Sequence, residues 1–246
     1  MTAALPGAVH LHQAAEATWP PARLWQDGPW TLREGLGGGK RVSAATAHAE
    51  AAPSDLAAAE AAMRAIGQRP LFMLREGQGA LDGMLAEAGY GVLDPSSVYA
   101  IALDDLDLPA PAPTASFAIW EPLAIQREIW AAGGIGPARV AVMERAAHPK
   151  AALLGRLDGR AVGAGYVALS HGTAMVHALD VLPAFRRRGA ARTLMAEAAI
   201  WARRQGAGVM AVICTDQNAA ARALYGAMGM RKVDGYHYRQ HPGAQG

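Results

Sequence analysis

The stretch that most constrains this chain is Val181-Leu182-Pro183-Ala184-Phe185-Arg186-Arg187-Arg188-Gly189-Ala190-Ala191, running into Arg192-Thr193-Leu194-Met195. It reads as a strand end, a short basic loop and a helix start. Pro183 stops the strand because it has no N–H for the ladder. Gly189 and the two alanines leave the backbone bare, and Leu194, Met195, Ala198 and Trp201 recur at a helical spacing. Backbone N–H groups at a helix start, helped by the dipole and by arginines, form an anion site. The expected ligand carries phosphate; the alternative is a surface turn with scattered arginines.

The rest of the chain sets the limits of that site. Its 246 residues fit two domains of about 120. Hydrophobic residues are 52% of the chain, enough for packed cores. The net charge of +2 gives no case for nucleic acid, so the arginines suit a local polyanion. Cys214 is the single cysteine, which excludes an internal disulfide and a cysteine metal cluster. No metal is expected. The first residues lack a basic segment followed by an apolar run, and no run of about 18 apolar residues occurs. The expectation is a cytoplasmic protein with no membrane span.

In chain order, a helical patch near 12–17 breaks at Pro20-Pro21 and a strand covers 30–33. Gly35 to Lys40 invites a nucleotide-loop reading. The Walker spacing then needs Gly at 34 and Ser or Thr at 41, where the chain has Glu34 and Arg41, so a hairpin turn is expected. A strand is expected over 41–47, a helix from Ser54 or Asp55 to Ile66, a strand over 71–74 and a helix over 80–88 closed by Gly89. Strands 90–92 and 98–103 flank a turn at Asp94-Pro95. Residues 104–115, acidic and then rich in Pro and Ala, read as an extended linker. The division expected is 1–107, a linker at 108–115, and 116–246.

Beyond the linker the order is β-α-α-β-β-β-α-β-α-β, an α/β chain with a mixed sheet. Residues 210–214, Met-Ala-Val-Ile-Cys, form an apolar run expected for a strand buried on both faces.

The second half resembles the GNAT acetyltransferases. One match is the family's Arg/Gln-x-x-Gly-x-Gly/Ala loop, here Arg186-Arg187-Arg188-Gly189-Ala190-Ala191 after Val181-Leu182-Pro183. The other is its Asn-x-x-Ala-x-x-Leu-Tyr-x-x-x-Gly-Phe signature, here Asn218 through Ala221, Leu224 and Tyr225 to Gly229-Met230, with Met for Phe. The resemblance covers about 116–240. It implies the acyl-CoA N-acyltransferase fold and transfer of acetyl from acetyl-CoA, as cosubstrate, to a small-molecule or peptide amine in a ternary complex. It implies that the loop backbone holds the CoA pyrophosphate, with Arg186 shaping the loop and Arg187, Arg188, Gly189, Ala190 and Ala191 around the phosphates. The pantetheine arm is expected between two splayed strands, on backbone near Leu179 and Val181. Asn218 is expected on the arm or the loop, or as a helix N-cap.

The resemblance also makes Tyr225 the acid for the leaving thiolate and a backbone N–H the group that polarises the thioester. His177, in a His-Ala-Leu-Asp-Val run like that of arylalkylamine acetyltransferases, is the candidate base. By two-residue alternation it shares a face with Leu179 and Val181, and Asp180 faces the other way. A water chain can replace a protein base. Cys214 as a covalent nucleophile is the disfavoured route.

The first half is expected to be a degenerate domain of the same kind. Aligning Gly89-Tyr90 with Gly229-Met230 puts Leu85 opposite Tyr225, so the acid is absent, and no phosphate loop precedes the helix near Pro53. The rival to an enzyme is a non-catalytic CoA-binding or interaction protein on this fold. Homodimerisation is left open.

Overall fold

The computed structural model describes residues 5–241. In chain order the elements are α1 (Ala8–Thr18), β1 (Arg23–Asp27), β2 (Trp30–Glu34), β3 (Thr46–Ala47), α2 (Pro53–Ala65), β4 (Leu71–Arg75), α3 (Gly79–Glu87) and β5 (Gly91–Ala102). Then come β6 (Ser116–Ile119), α4 (Ala124–Ala132), α5 (Pro137–Arg145), β7 (Lys150–Leu157), β8 (Arg160–Ser170), β9 (Thr173–Val181), α6 (Ala190–Arg204), β10 (Val209–Thr215), α7 (Ala219–Ala227) and β11 (Arg231–Gln240). Among the described residues no helix is long and apolar enough to cross a membrane.

Two compact units interleave along the chain. One holds the described residues up to Pro20, then Val98–Cys214 and Ala219–Val233. The other holds Pro21–Ser97, Thr215–Asn218 and the described residues from Asp234. The long strands β5 and β11 therefore give residues to both.

In the first unit β6, β7, β8 and β9 pair antiparallel in succession, and β9 pairs parallel with β10. Helix α6 supplies one face of the core through Leu194, Met195, Ala198, Ala199 and Ala202, all at most 1% exposed. Each large apolar side chain so buried stabilises by about 1.5–3 kcal/mol. Helices α1 and α4 cover β8 and β9 on the other face, through Thr18 against His177 and Trp130 against Ala178.

The expected linker is only partly a linker. Leu103 and Leu106 are buried, and the Arg203 guanidinium donates to both their carbonyls. The Pro-Ala portion follows that anchor, with residues 107–113 outside any helix or strand.

In the second unit β1, β2 and β3 form an antiparallel sheet. Ala45 makes a single parallel bridge to Phe72 of β4, and β4 pairs antiparallel with the 236–240 part of β11. Trp30, Leu32, Met63, Phe72, Leu74 and Leu85 make its core. The strand expected over 41–47 is only Thr46–Ala47, because Lys40–Val42 turns as a 3-10 helix. The expected turn at Asp94-Pro95 does not break its strand. Asp94 takes φ 47° as an irregularity inside the continuous β5.

The two units repeat one local device. Met230 donates to the Tyr225 carbonyl at 3.0 Å and Gly229 to that of Gly226 at 3.0 Å. Tyr90 likewise donates to Leu85 and Gly89 to Ala86, each at 2.9 Å. Both glycines have positive φ, as this helix ending requires. Leu85 thus occupies in its own helix the capped position that Tyr225 occupies in α7.

Candidate active site

The site is built where β9 outruns its partner. The parallel ladder of β9 and β10 stops at Val176–Val212, although β9 continues to Val181 and β10 to Thr215. Backbone hydrogen-bonding groups of residues 177–181 therefore border a gap on the β10 side.

Along the gap β9 bulges. His177 is opposite Tyr166 and Asp180 opposite Ala164, so Ala178 and Leu179 together oppose one residue of β8. Ala178 takes φ 51°, the left-handed region. The extra residue reverses the alternation that the sequence implies. His177 shares a face with Asp180, not with Leu179 and Val181. A Cβ placed on Gly163 would lie 3.0 Å from Leu194 and 3.2 Å from Val181, and one on Gly165 would lie 3.4 Å from Leu179. Leu179 and Val181 accordingly share the face of α6. Asp180 sits against Gly133, at the end of α4.

On that other face His177 is 4% exposed. Its Nε2 is 2.8 Å from Thr18 Oγ1, while the Thr18 hydroxyl donates to the Ala14 carbonyl at 2.7 Å. The hydroxyl and the imidazole nitrogen are thus within hydrogen-bond distance of one another, deep in the core. The ring also stacks on Tyr166, with centroids 6.0 Å apart.

After Val181 the chain turns through Pro183–Phe185 into the loop. Arg186 folds back: its Nε donates to the Val181 carbonyl at 2.9 Å. The Val181 N–H donates to Asp180 Oδ1 at 2.9 Å. Arg188 pairs with Asp158 at 2.8 Å across exposed surface, an interaction worth about 0–1 kcal/mol. Arg187 has φ 60° and Gly189, the N-cap of α6, has φ 88°. Ala190 is buried and Ala191 half-buried, so the start of α6 is packed while the three arginines and Gly189 are exposed. The first N–H groups of α6 find no carbonyl inside the helix.

Tyr225, on α7, stands near Cys214 of β10. It is 6% exposed, with its ring 5.9 Å from that of Tyr99. Burial, and secondarily the nearby Cys214 thiol, push its phenol well above the ordinary tyrosine range. It is therefore a protonated donor at any physiological pH. Cys214 is itself buried, two residues past the last ladder pair. Asn218 is exposed and immediately precedes α7, the position of a helix N-cap. The loop and Tyr225 are the features that stand out in the sequence. The bulge does not, and neither does Trp130, whose indole N–H donates to the Ala178 carbonyl at 2.9 Å. The only trace in the sequence is a Trp-x-x-Gly at a helix end.

Residues 117–230 match the model of the acetyltransferase (GNAT) family. That stretch is similar to a GNAT acetyltransferase domain. The whole chain is similar in fold to a GCN5-related N-acetyltransferase from Kribbella flavida, with a TM-score of 0.71, 21% identity and 98% of each chain covered. A functionally unknown conserved protein from Staphylococcus epidermidis gives 0.68 at 11% identity over 91% of this chain and 95% of that one. A tandem GNAT protein from the clavulanic acid biosynthesis pathway gives 0.61 at 12%, over 97% and 89%. No curated protein sequence matches the chain. With the GNAT-like fold extending over nearly all its length, the chain is two-part in architecture, and the recognisable family signature lies in the second half.

Proposed function

We propose that this chain transfers acetyl from acetyl-CoA directly to an amine bound beside it in a ternary complex. The observation that carries the reading is the end of the β9–β10 ladder at Val176 and Val212, where β9 runs on toward the loop that starts α6 and β10 toward Cys214, near the buried Tyr225. A thioester arm lying in that gap finds strand backbone for its amides. Its pyrophosphate reaches the N–H groups of residues 187–191, with positive charge from Arg187 and Arg188 around it. Arg186 shapes the loop through Val181 instead of gripping phosphate. Leu179 pairs with the arm, and Val181 does so by exchanging its bond to Asp180.

The amine must arrive neutral and attack the thioester carbon, and negative charge develops on the carbonyl oxygen. The Leu179 N–H stabilises that charge. Tyr225 donates to the sulfur as the thiolate leaves. A free thiol ionises near 8.5, below this phenol, so Tyr225 stabilises sulfur mainly by its hydrogen bond. The proton lost by the amine leaves through water, a route favoured by the burial of His177 beside Thr18. His177 then serves to hold α1 on β9.

Thiol release from acetyl-CoA with a panel of small and peptide amines tests the reading. Wild type should turn over at least one amine, and Tyr225→Phe should lower kcat about 10²-fold at an unchanged affinity for acetyl-CoA. Tight acetyl-CoA binding with no turnover on any amine would instead establish a CoA-binding protein.

A further inference from the structure

The bulge of β9 is held from outside the sheet, by the last turn of α4. Trp130 is fully buried and its indole Nε1–H donates to the Ala178 carbonyl at 2.9 Å. Three residues on, Gly133 ends the helix, and any Cβ there would fall 1.6 Å from Asp180 Oδ2. One helix turn thus touches the residues on both sides of Leu179. Trp130 is itself fixed, because Ile135 donates to its carbonyl at 2.7 Å in the turn that closes α4.

The Ala178 carbonyl and the Leu179 N–H belong to one peptide unit. That unit is planar and trans, so its C=O and N–H point in opposite directions. Holding the carbonyl toward α4 turns the Leu179 N–H away from α4. A hydrogen bond accepted at the carbonyl also polarises the same peptide's N–H and makes it a better donor. The left-handed φ of Ala178 is unfavourable for a residue with a Cβ and persists only where its surroundings hold it.

We propose that Trp130 is a positioning residue for the transfer, aiming and strengthening the Leu179 N–H through the Ala178 carbonyl. The role rests on the acetyl-transfer reading for its consequence, since that N–H is the one assigned to the thioester oxygen. Trp130 touches no reacting atom.

Two variants test it. Trp130→Phe keeps an aromatic ring without the N–H. Incorporating 3-benzothienylalanine at 130 keeps the ring shape with sulfur in place of N–H, and covers the case in which the smaller ring impairs folding. In either, kcat should fall at least about 10-fold while the dissociation constant for acetyl-CoA stays within about 3-fold, as for loss of aim at a charge-stabilising donor. The infrared carbonyl stretch of bound [1-13C]acetyl-CoA should move back toward its value in water. An unchanged kcat and stretch, or a loss confined to acetyl-CoA affinity, overturns the proposal. In the unliganded protein the Leu179 amide 15N resonance should shift in both variants, and an unmoved resonance also overturns it. A shifted resonance in a protein that acetylates no amine supports the positioning of the peptide and counts against the acetyl-transfer reading alone.

Discussion

Asp82 shows how single residues tie distant elements of the second unit together. Its carboxylate receives two of the three Arg239 guanidinium nitrogens, Nε at 2.7 Å and a terminal nitrogen at 3.0 Å, and lies 2.8 Å from His237 Nε2. The Arg239 hydrogen bonds, then those of His237, hold its carboxyl at about 2 against an ordinary 3.8. A depressed carboxyl contributes stability above its unfolded value and loses it as pH falls through the folded one. Wild type should therefore exceed Asp82→Asn in stability at pH 7. That gap should close between about pH 4 and pH 2 as the cluster is protonated. Urea midpoints across this range check it; a gap that does not change with pH would rule the ion cluster out as its source. Lys150 is a second such residue. Its ammonium donates to the Met143, Glu144 and Ala146 carbonyls at the end of α5, so a lysine 6% exposed is fully engaged.

At the scale of elements, the start of α6 carries the binding prediction. Gly189 combines a left-handed φ with open space around its Cα, so a side chain fits sterically but strains the backbone. That strain costs about 1 kcal/mol, which the fold tolerates. Gly189→Asp adds a negative charge among the N–H groups offered to phosphate. It should abolish acetyl-CoA binding with the far-ultraviolet spectrum unchanged, whereas Gly189→Ala should retain most of the affinity. Calorimetric titration of the three proteins checks this, and equal affinities would defeat the assignment of the loop. The face exchange in β9 belongs to this scale too. Alternation from His177 predicts Leu179 and Val181 beside it, and a single inserted residue at 178 moves them to the face of α6.

At the scale of the molecule, the two units differ in what their corresponding helix starts leave open. Helix α2 begins at Pro53, which has no N–H, and the Asp55 carboxylate accepts the Ala52 N–H at 2.8 Å. A carboxylate of the chain thus already sits at the end of α2 where α6 presents bare backbone. With Leu85 in the place of a tyrosine, the described residues of the second unit offer, on the proposed reading, neither a phosphate seat nor an acid. Acetyl-CoA should bind with a stoichiometry of one per chain, measured by calorimetry on the full-length protein. Two equivalent sites would overturn this account of α2.

What the sequence determined is local and chemical. Proline and glycine at 183, 189 and 229 set where elements stop, since each acts through its own backbone. The bare loop at 187–191 and the Asn218-to-Met230 spacing located the family signature. The repeated Gly-x ending at 89 and 229 exposed the kinship of the two halves. What only the tertiary structure decided depends on pairing between distant strands. Where a ladder ends, at Val176 and Val212, is fixed by two strands together. So is the bulge at Ala178, which no two-residue period of β9 alone can announce. The partners of His177 and Ala178 come from helices 159 and 48 residues away along the chain, Thr18 and Trp130. No periodicity spans such separations, so the sequence shows His177 as a candidate base and the structure adds that it is buried beside Thr18.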